Sequence, residues 1–278
     1  MIKGPFLDRN WMGQNEDYNS SDIIMLGLPF DGTASYRSGA RFAPELLRIS
    51  SWAIEEFSPI FSKTLKEANF NDAGDLELPV GNTKKSLDII QENIEQIYAD
   101  KKKFLGVGGE HLVTYPAIKA INKFFNEITV LHFDAHADLR KNYIEEKLSH
   151  ASTMCRIGEI IGFESIKQVG IRSGTQDEFE IMKKYETKLN NPKELCQLKN
   201  KNIFVSIDLD VLDPSIMPGT GTPEPGGFSY TELEDWIKGL KDLNIIGADV
   251  VELSPHYDAS GVSTITAAKI IRELLMCL

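Results

Sequence analysis

The 278-residue chain is 42% hydrophobic, enough to bury a large core, and carries 41 acidic against 30 basic side chains for a formal net charge of −11. That balance excludes a non-specific nucleic-acid binder, which needs clustered Lys and Arg against phosphate, and it suits a small cationic partner. Cys155, Cys196 and Cys277 are scattered with no Cys-x-x-Cys pair, so a reducing compartment is expected and a disulfide framework is not.

The opening stretch, residues 1–18, has no apolar core of signal-peptide length. No later segment approaches the roughly 18 consecutive apolar residues of a membrane span. A cytoplasmic protein without a membrane partner is therefore expected. Neither a linker nor a repeat divides the chain, which predicts one domain over 1–278.

In chain order, a short apolar run at 22–28 reads as a buried strand. A helix follows over 83–98, with Leu87, Ile90, Ile94 and Ile97 on one face. Further strands are expected at 103–107, 128–133, 166–171, 203–207 and 245–253. Helices are expected over 231–243, with Leu233, Trp236, Ile237 and Leu240 inward, and over 264–278, with Ile270, Ile271, Leu274 and Leu275 inward. Alternation of this kind predicts an α/β fold in three layers, α/β/α, around a mostly parallel sheet. Ligands of such sheets gather beyond the carboxyl ends of the strands.

Chemistry-bearing residues fall at those ends. The run LHFDAHADLR brings Asp134, His136 and Asp138 at i, i+2 and i+4, and SIDLDVLDPS brings Asp208 and Asp210 at i, i+2. GVGGEH, 106–111, follows the strand at 103–107, and its glycines permit a tight turn that delivers His111. A lone Asp at a strand end is usually a turn former or a helix cap, but capping alone does not produce five such residues in two combs. Packed carboxylates repel one another unless protonated or bridged by cations. Four aspartates and two histidines, with no thiolate, suit two divalent ions and favour Mn²⁺ over structural Zn²⁺. Asp213, ahead of Pro214, reads as a turn residue or a support for the ligands, and Glu110 is expected to point away from the cluster. Glu252 ends the apolar run before it and could hold a guanidinium through paired charge-assisted hydrogen bonds. With His150, His256 and Asp258 it is expected at the mouth of the site.

Together GGEH at 108–111, DAHAD at 134–138, SIDLDVLDP at 206–214, GTGTPEPGG at 219–227 and VELSPHYD at 251–258 resemble the ureohydrolases, the arginase and agmatinase family. The resemblance implies hydrolysis of a guanidino compound to urea and an amine by a binuclear manganese centre in an arginase-like α/β/α fold. Its ligands carry over onto His111, Asp134, His136, Asp138, Asp208 and Asp210. It further implies that His150 shuttles a proton to the departing amine, that Glu252 orients the guanidinium, that Asp138 contacts the attacking hydroxide, and that the chain forms trimers or hexamers. Residues 29–48 and 134–150 look like agmatinases, whose products are urea and putrescine. His256 and Pro225 depart from the commonest agmatinase pattern and bear on the substrate's tail. Arginine, guanidinobutyrate or formiminoglutamate specificity, a metal-dependent deacetylase and a metal-bound regulator remain the alternatives.

Overall fold

The computed structural model describes residues 10–14 and 16–278, so the reading of 1–18 falls largely outside the described residues. Its strands are β1 (Ile23–Gly27), β2 (Phe57–Ser58), β3 (Lys63–Thr64), β4 (Phe70–Asp75), β5 (Lys103–Val107), β6 (Thr129–Phe133), β7 (Ile166–Val169), β8 (Asn202–Asp208) and β9 (Asn244–Val251). Its α-helices are α1 (Ala43–Ser51), α2 (Thr83–Ala99), α3 (Thr114–Ile121), α4 (Thr153–Ile161), α5 (Gln176–Lys184), α6 (Tyr230–Gly239) and α7 (Val262–Cys277). Seven strands form one sheet in the order β4-β1-β5-β9-β8-β6-β7, parallel throughout, while β2 and β3 make a small hairpin apart from it.

Strand pleat separates the core into two faces. Ile203, Val205 and Ile207 of β8, with Leu131 and Phe133 of β6, turn to the side where Leu47 of α1, Ile237 of α6 and Ile271 of α7 pack. Phe204 and Val130 turn the other way, toward Ile90 and Ile94 of α2, Ile118 of α3 and Met154 and Ile157 of α4. Strands apolar on both faces must be covered on both, which yields the three layers expected of a parallel sheet. Among the described residues, no helix is long and apolar enough to cross a membrane.

Two strands stop two residues sooner than their apolar runs predict. Residues 166–171 end as a strand at Val169 because Gly170 turns with φ 90°, where an added Cβ would meet the Asp134 carbonyl oxygen at 2.9 Å. The run 245–253 ends at Val251 because Glu252 itself is left-handed, φ 67°. Both breaks lie at the carboxyl edge, where the chain leaves the ladder to build the site.

Candidate metal centre

Four adjacent central strands, β5, β9, β8 and β6, each deliver groups from their carboxyl ends. After β5, Gly108 and Gly109 turn with φ 76° and 86°, and a Cβ on Gly109 would lie 2.3 Å from the Leu28 carbonyl oxygen. Only glycine fits that approach, and it sets His111 at the start of a short 3-10 turn. After β6, the loop holding Asp134, His136 and Asp138 is tied down by its own backbone. Asp134 accepts from the His136 amide at 2.6 Å, and the Asp134 amide donates to the Val169 carbonyl at 3.1 Å. The three residues thus converge through a loop beyond the pleat of β6, with Asp138 left-handed at φ 53°. That unusual backbone is held by the Cys155 amide on the Asp138 carbonyl, 3.0 Å, and by the Leu139 amide on Glu178, 2.9 Å. After β8, Asp208 accepts from the Asp210 amide at 2.9 Å and turns Asp210 toward the same cavity.

The six expected ligands meet in two groups. His111 Nδ1 lies 3.1 Å from Asp134 Oδ2, 3.3 Å from Asp138 Oδ2 and 3.2 Å from Asp208 Oδ2. His136 Nδ1 lies 3.4 Å from Asp134 Oδ1 and 3.0 Å from Asp210 Oδ2. Asp134 therefore offers one oxygen to each group. Nδ1 of His111 is fully buried yet has no hydrogen-bond partner. The donor count explains why. Ser206 gives its one proton to Asp249 Oδ1 at 2.7 Å, so its oxygen can accept only from His111 Nε2, 3.0 Å away. The Nδ1 lone pair is left aimed at three carboxylate oxygens, which is what a cation between them requires.

Electrostatics agree. Burial, with Asp210 and Asp134 close by, drives Asp208 well above the ordinary carboxylate range, and burial with Asp134 lifts Asp138 to about 7. Burial opposes charge on His136, but Asp210 and Asp134 outweigh it and raise the imidazole to about 12. Without cations the cluster thus holds protons at neutral pH, and a bound divalent ion must displace them. Binding is expected to release protons, so affinity should rise with pH. Calorimetry in buffers of different ionisation enthalpy checks this; a heat independent of buffer would contradict it.

Sequence reasoning missed several groups. His132 is fully buried in β6, within reach of His111 and Asp134, and looks like a further ligand. Its partners say otherwise. Thr187 donates to Gln168 Oε1 at 2.9 Å, which turns the Gln168 amide nitrogen toward His132 Nδ1 at 3.1 Å. Nδ1 accepts, so Nε2 carries the proton and donates to Asp134 Oδ2 at 2.7 Å. His132 orients Asp134. The only sequence signal is a polar residue inside an apolar strand. Arg172, just past β7, was not foreseen either. Its guanidinium donates to the Asp210 carbonyl at 2.7 Å, the Val211 carbonyl at 3.2 Å and the Pro225 carbonyl at 3.1 Å, stapling the 219–227 loop to the Asp208 turn.

His150 faces the neighbouring hollow, and Glu252 lines a small cleft beside it that shares His150, Ser35 and Thr222. His150 begins the turn before α4 and lines a cavity of about 220 Å³ with Ser35, His136, Asp138, Arg140, Tyr143, Glu178 and Thr222. Burial, with His136 and His111 nearby, lowers it to about 4. Glu252 spends Oε1 on the His111 amide, 2.8 Å, while Oε2 faces Gly221, where a Cβ would stand 3.1 Å away. Asp258 corrects an expectation: it accepts from the Ser260 and Ser263 amides at 2.9 and 2.7 Å and ties down the start of α7. His256 is exposed and packs edge-on against Phe42, outside the cavity lining. Asp213 is a turn residue, accepting from the Ser215, Gly226 and Gly227 amides at 3.0, 2.8 and 3.1 Å.

The sequence profile of the arginase family matches residues 21–277. The chain belongs to the arginase family. It is 42% identical over 269 residues to an agmatinase of Halalkalibacterium halodurans, covering 94% of this chain and 93% of that protein. It is 41% identical to an agmatinase of Bacillus subtilis, covering 96% and 95%. A crystal structure provisionally assigned as an agmatinase from Clostridium difficile superposes with a TM-score of 0.91 at 45% identity, covering 94% of this chain and 98% of that one. Family and fold together make the chain an agmatinase-like amidinohydrolase with an arginase-type α/β/α architecture.

Proposed function

We propose that the chain hydrolyses the guanidino group of agmatine to urea and putrescine at a centre of two Mn²⁺ ions. His111, Asp134, Asp138 and Asp208 would hold one ion, and His136, Asp134 and Asp210 the other. Asp134, with one oxygen toward each imidazole, is the observation that carries this reading. The all-oxygen-and-imidazole donor set supports manganese, and the agmatinase relatives support the substrate.

Bound there, the ions would supply Lewis acidity and acidify water into a nucleophile at neutral pH. The side chains do the rest. Glu252 turns its free Oε2 toward Gly221 in the cleft that adjoins the hollow at His150 and Thr222, where a guanidinium can donate to it and have its charge offset. Asp138 accepts a hydrogen bond from the attacking water. His150 delivers a proton to the amine nitrogen as its bond to the guanidino carbon breaks, giving neutral urea and a protonated amine. An imidazole this far lowered is neutral at pH 7, so it relays the proton rather than storing it.

The cavity beyond the metals is lined by Arg140, whose guanidinium stacks 5.0 Å over Tyr143 and lies 3.6 Å from Glu178. Balanced by Glu178, it leaves room for an ammonium tail. The same arginine favours a second reading, a guanidino acid whose carboxylate it would pair. Urea release with added Mn²⁺ from agmatine, arginine, 4-guanidinobutyrate and formiminoglutamate, the last also assayed for formamide, decides between them. Agmatine is expected to give the highest kcat/KM; a preference for guanidinobutyrate would move the assignment to the acid.

A further inference from the structure

Glu110 has no part in the chemistry above, although it is fully buried beside His111; its carboxylate faces Thr33. Its carboxylate instead grips one residue twice. The Thr33 amide donates to Oε2 at 2.9 Å, and the Thr33 hydroxyl hydrogen-bonds Oε1. The Glu110 amide donates in turn to the Phe30 carbonyl at 2.7 Å, so backbone and side chain both fasten the loop after β1. That loop has a second anchor at its far end, where Asp31 accepts from the Gly39 amide at 2.8 Å and pairs with Arg41.

What the fastened loop touches is the turn that carries His150. The His150 amide donates to the Thr33 hydroxyl oxygen at 3.0 Å, and the imidazole Nε2 lies 3.0 Å from the Ser35 hydroxyl. Thr33 and Ser35 stand two residues apart, one holding the backbone of His150 and the other its ring. From these contacts the geometry points to Glu110 as a positioning residue that acts through Thr33 to hold His150 at its working distance. The inference rests on the proton-transfer role proposed for His150. The contact does not depend on which partner bears the proton: an ionised Glu110 accepts both donors, and a protonated one keeps the amide bond at Oε2 and donates from Oε1. A proton relay gains from such a brace because reach decides transfer, and a shift of about 1 Å can lower turnover about a hundredfold.

The test is a double-mutant cycle with manganese content and melting temperature measured alongside kcat and KM. Thr33→Val removes the hydroxyl that links the two sides while keeping the shape. We expect kcat to fall about tenfold, with KM and metal content held. Thr33→Ser, which keeps the hydroxyl, should recover most of that loss, and Glu110→Leu should lose as much as Thr33→Val. The deciding comparison is Thr33→Val in the His150→Ala background, where no further loss is expected because the braced group is gone. An equal loss on both backgrounds, or none in Thr33→Val alone, overturns the inference while leaving the proposed reaction standing. If His150→Ala itself leaves kcat unchanged, the proton-transfer reading fails and the brace fails with it.

Discussion

Asp134→Asn is expected to lower urea release by about 10³-fold or more, since removing even one electrostatic stabiliser of a reacting centre is worth 10²–10³. The effect follows from geometry. One Asp134 oxygen lies 3.1 Å from His111 Nδ1 and the other 3.4 Å from His136 Nδ1, so removing its charge weakens both metal positions at once. Manganese content by mass spectrometry should fall together with activity. An Asp134→Asn protein that keeps its full metal complement would show that the two imidazoles serve separate ends. Asp213→Asn provides the contrast, because that carboxylate closes a turn with the Ser215 amide and holds the 219–227 loop through the Gly226 and Gly227 amides, without joining either group of candidate ligands. It should keep its metal.

His150→Ala should behave in the opposite way. The imidazole lines the cavity but belongs to neither group of ligands, and its own contacts run to Thr33 and Ser35. Removing it should lower kcat by about 10²-fold, the low end of general acid–base contributions, with manganese content unchanged. The pH dependence of kcat should flatten where the imidazole no longer titrates. Parallel loss of metal and activity would reassign His150 to holding the centre.

The strands of the sheet could be read from hydropathy, because a parallel sheet covered on both faces needs largely apolar runs, and six of its seven strands lie in one, each polar interruption notwithstanding. The seventh, β4, reads FNDAGD and is an edge strand whose register shifts beside Gly27, so hydropathy gives it no signal. Helices α1, α3, α4 and α5 were not foreseen; in α1, Pro44 at the start and exposed Ile49, with exposed Trp52 just past the end, blur the period. Among the site residues, the six candidate ligands that the structure brings together were legible because metal chemistry demands particular side chains at close spacing. His132, Gln168, Ser206, Asp249 and Arg172 were not, because what they do depends on neighbours far away in sequence. Register makes the point: Gly106 pairs with Asp249, Asp249 with Ser206, Ser206 with His132 and His132 with Gln168, a single row across five strands that no local window contains.

Strand order also bears on how the molecule is made. β9, near the end of the chain, lies between β5 and β8 in the middle of the sheet. A ribosome that adds residues from the amino end must therefore emit nearly the whole polypeptide before the two flanks can be zipped together. Until then, His111 on one flank and the aspartates of the other have nothing to hold them side by side. Ion capture should be a late event in biogenesis, following insertion of this last, innermost ribbon rather than guiding it.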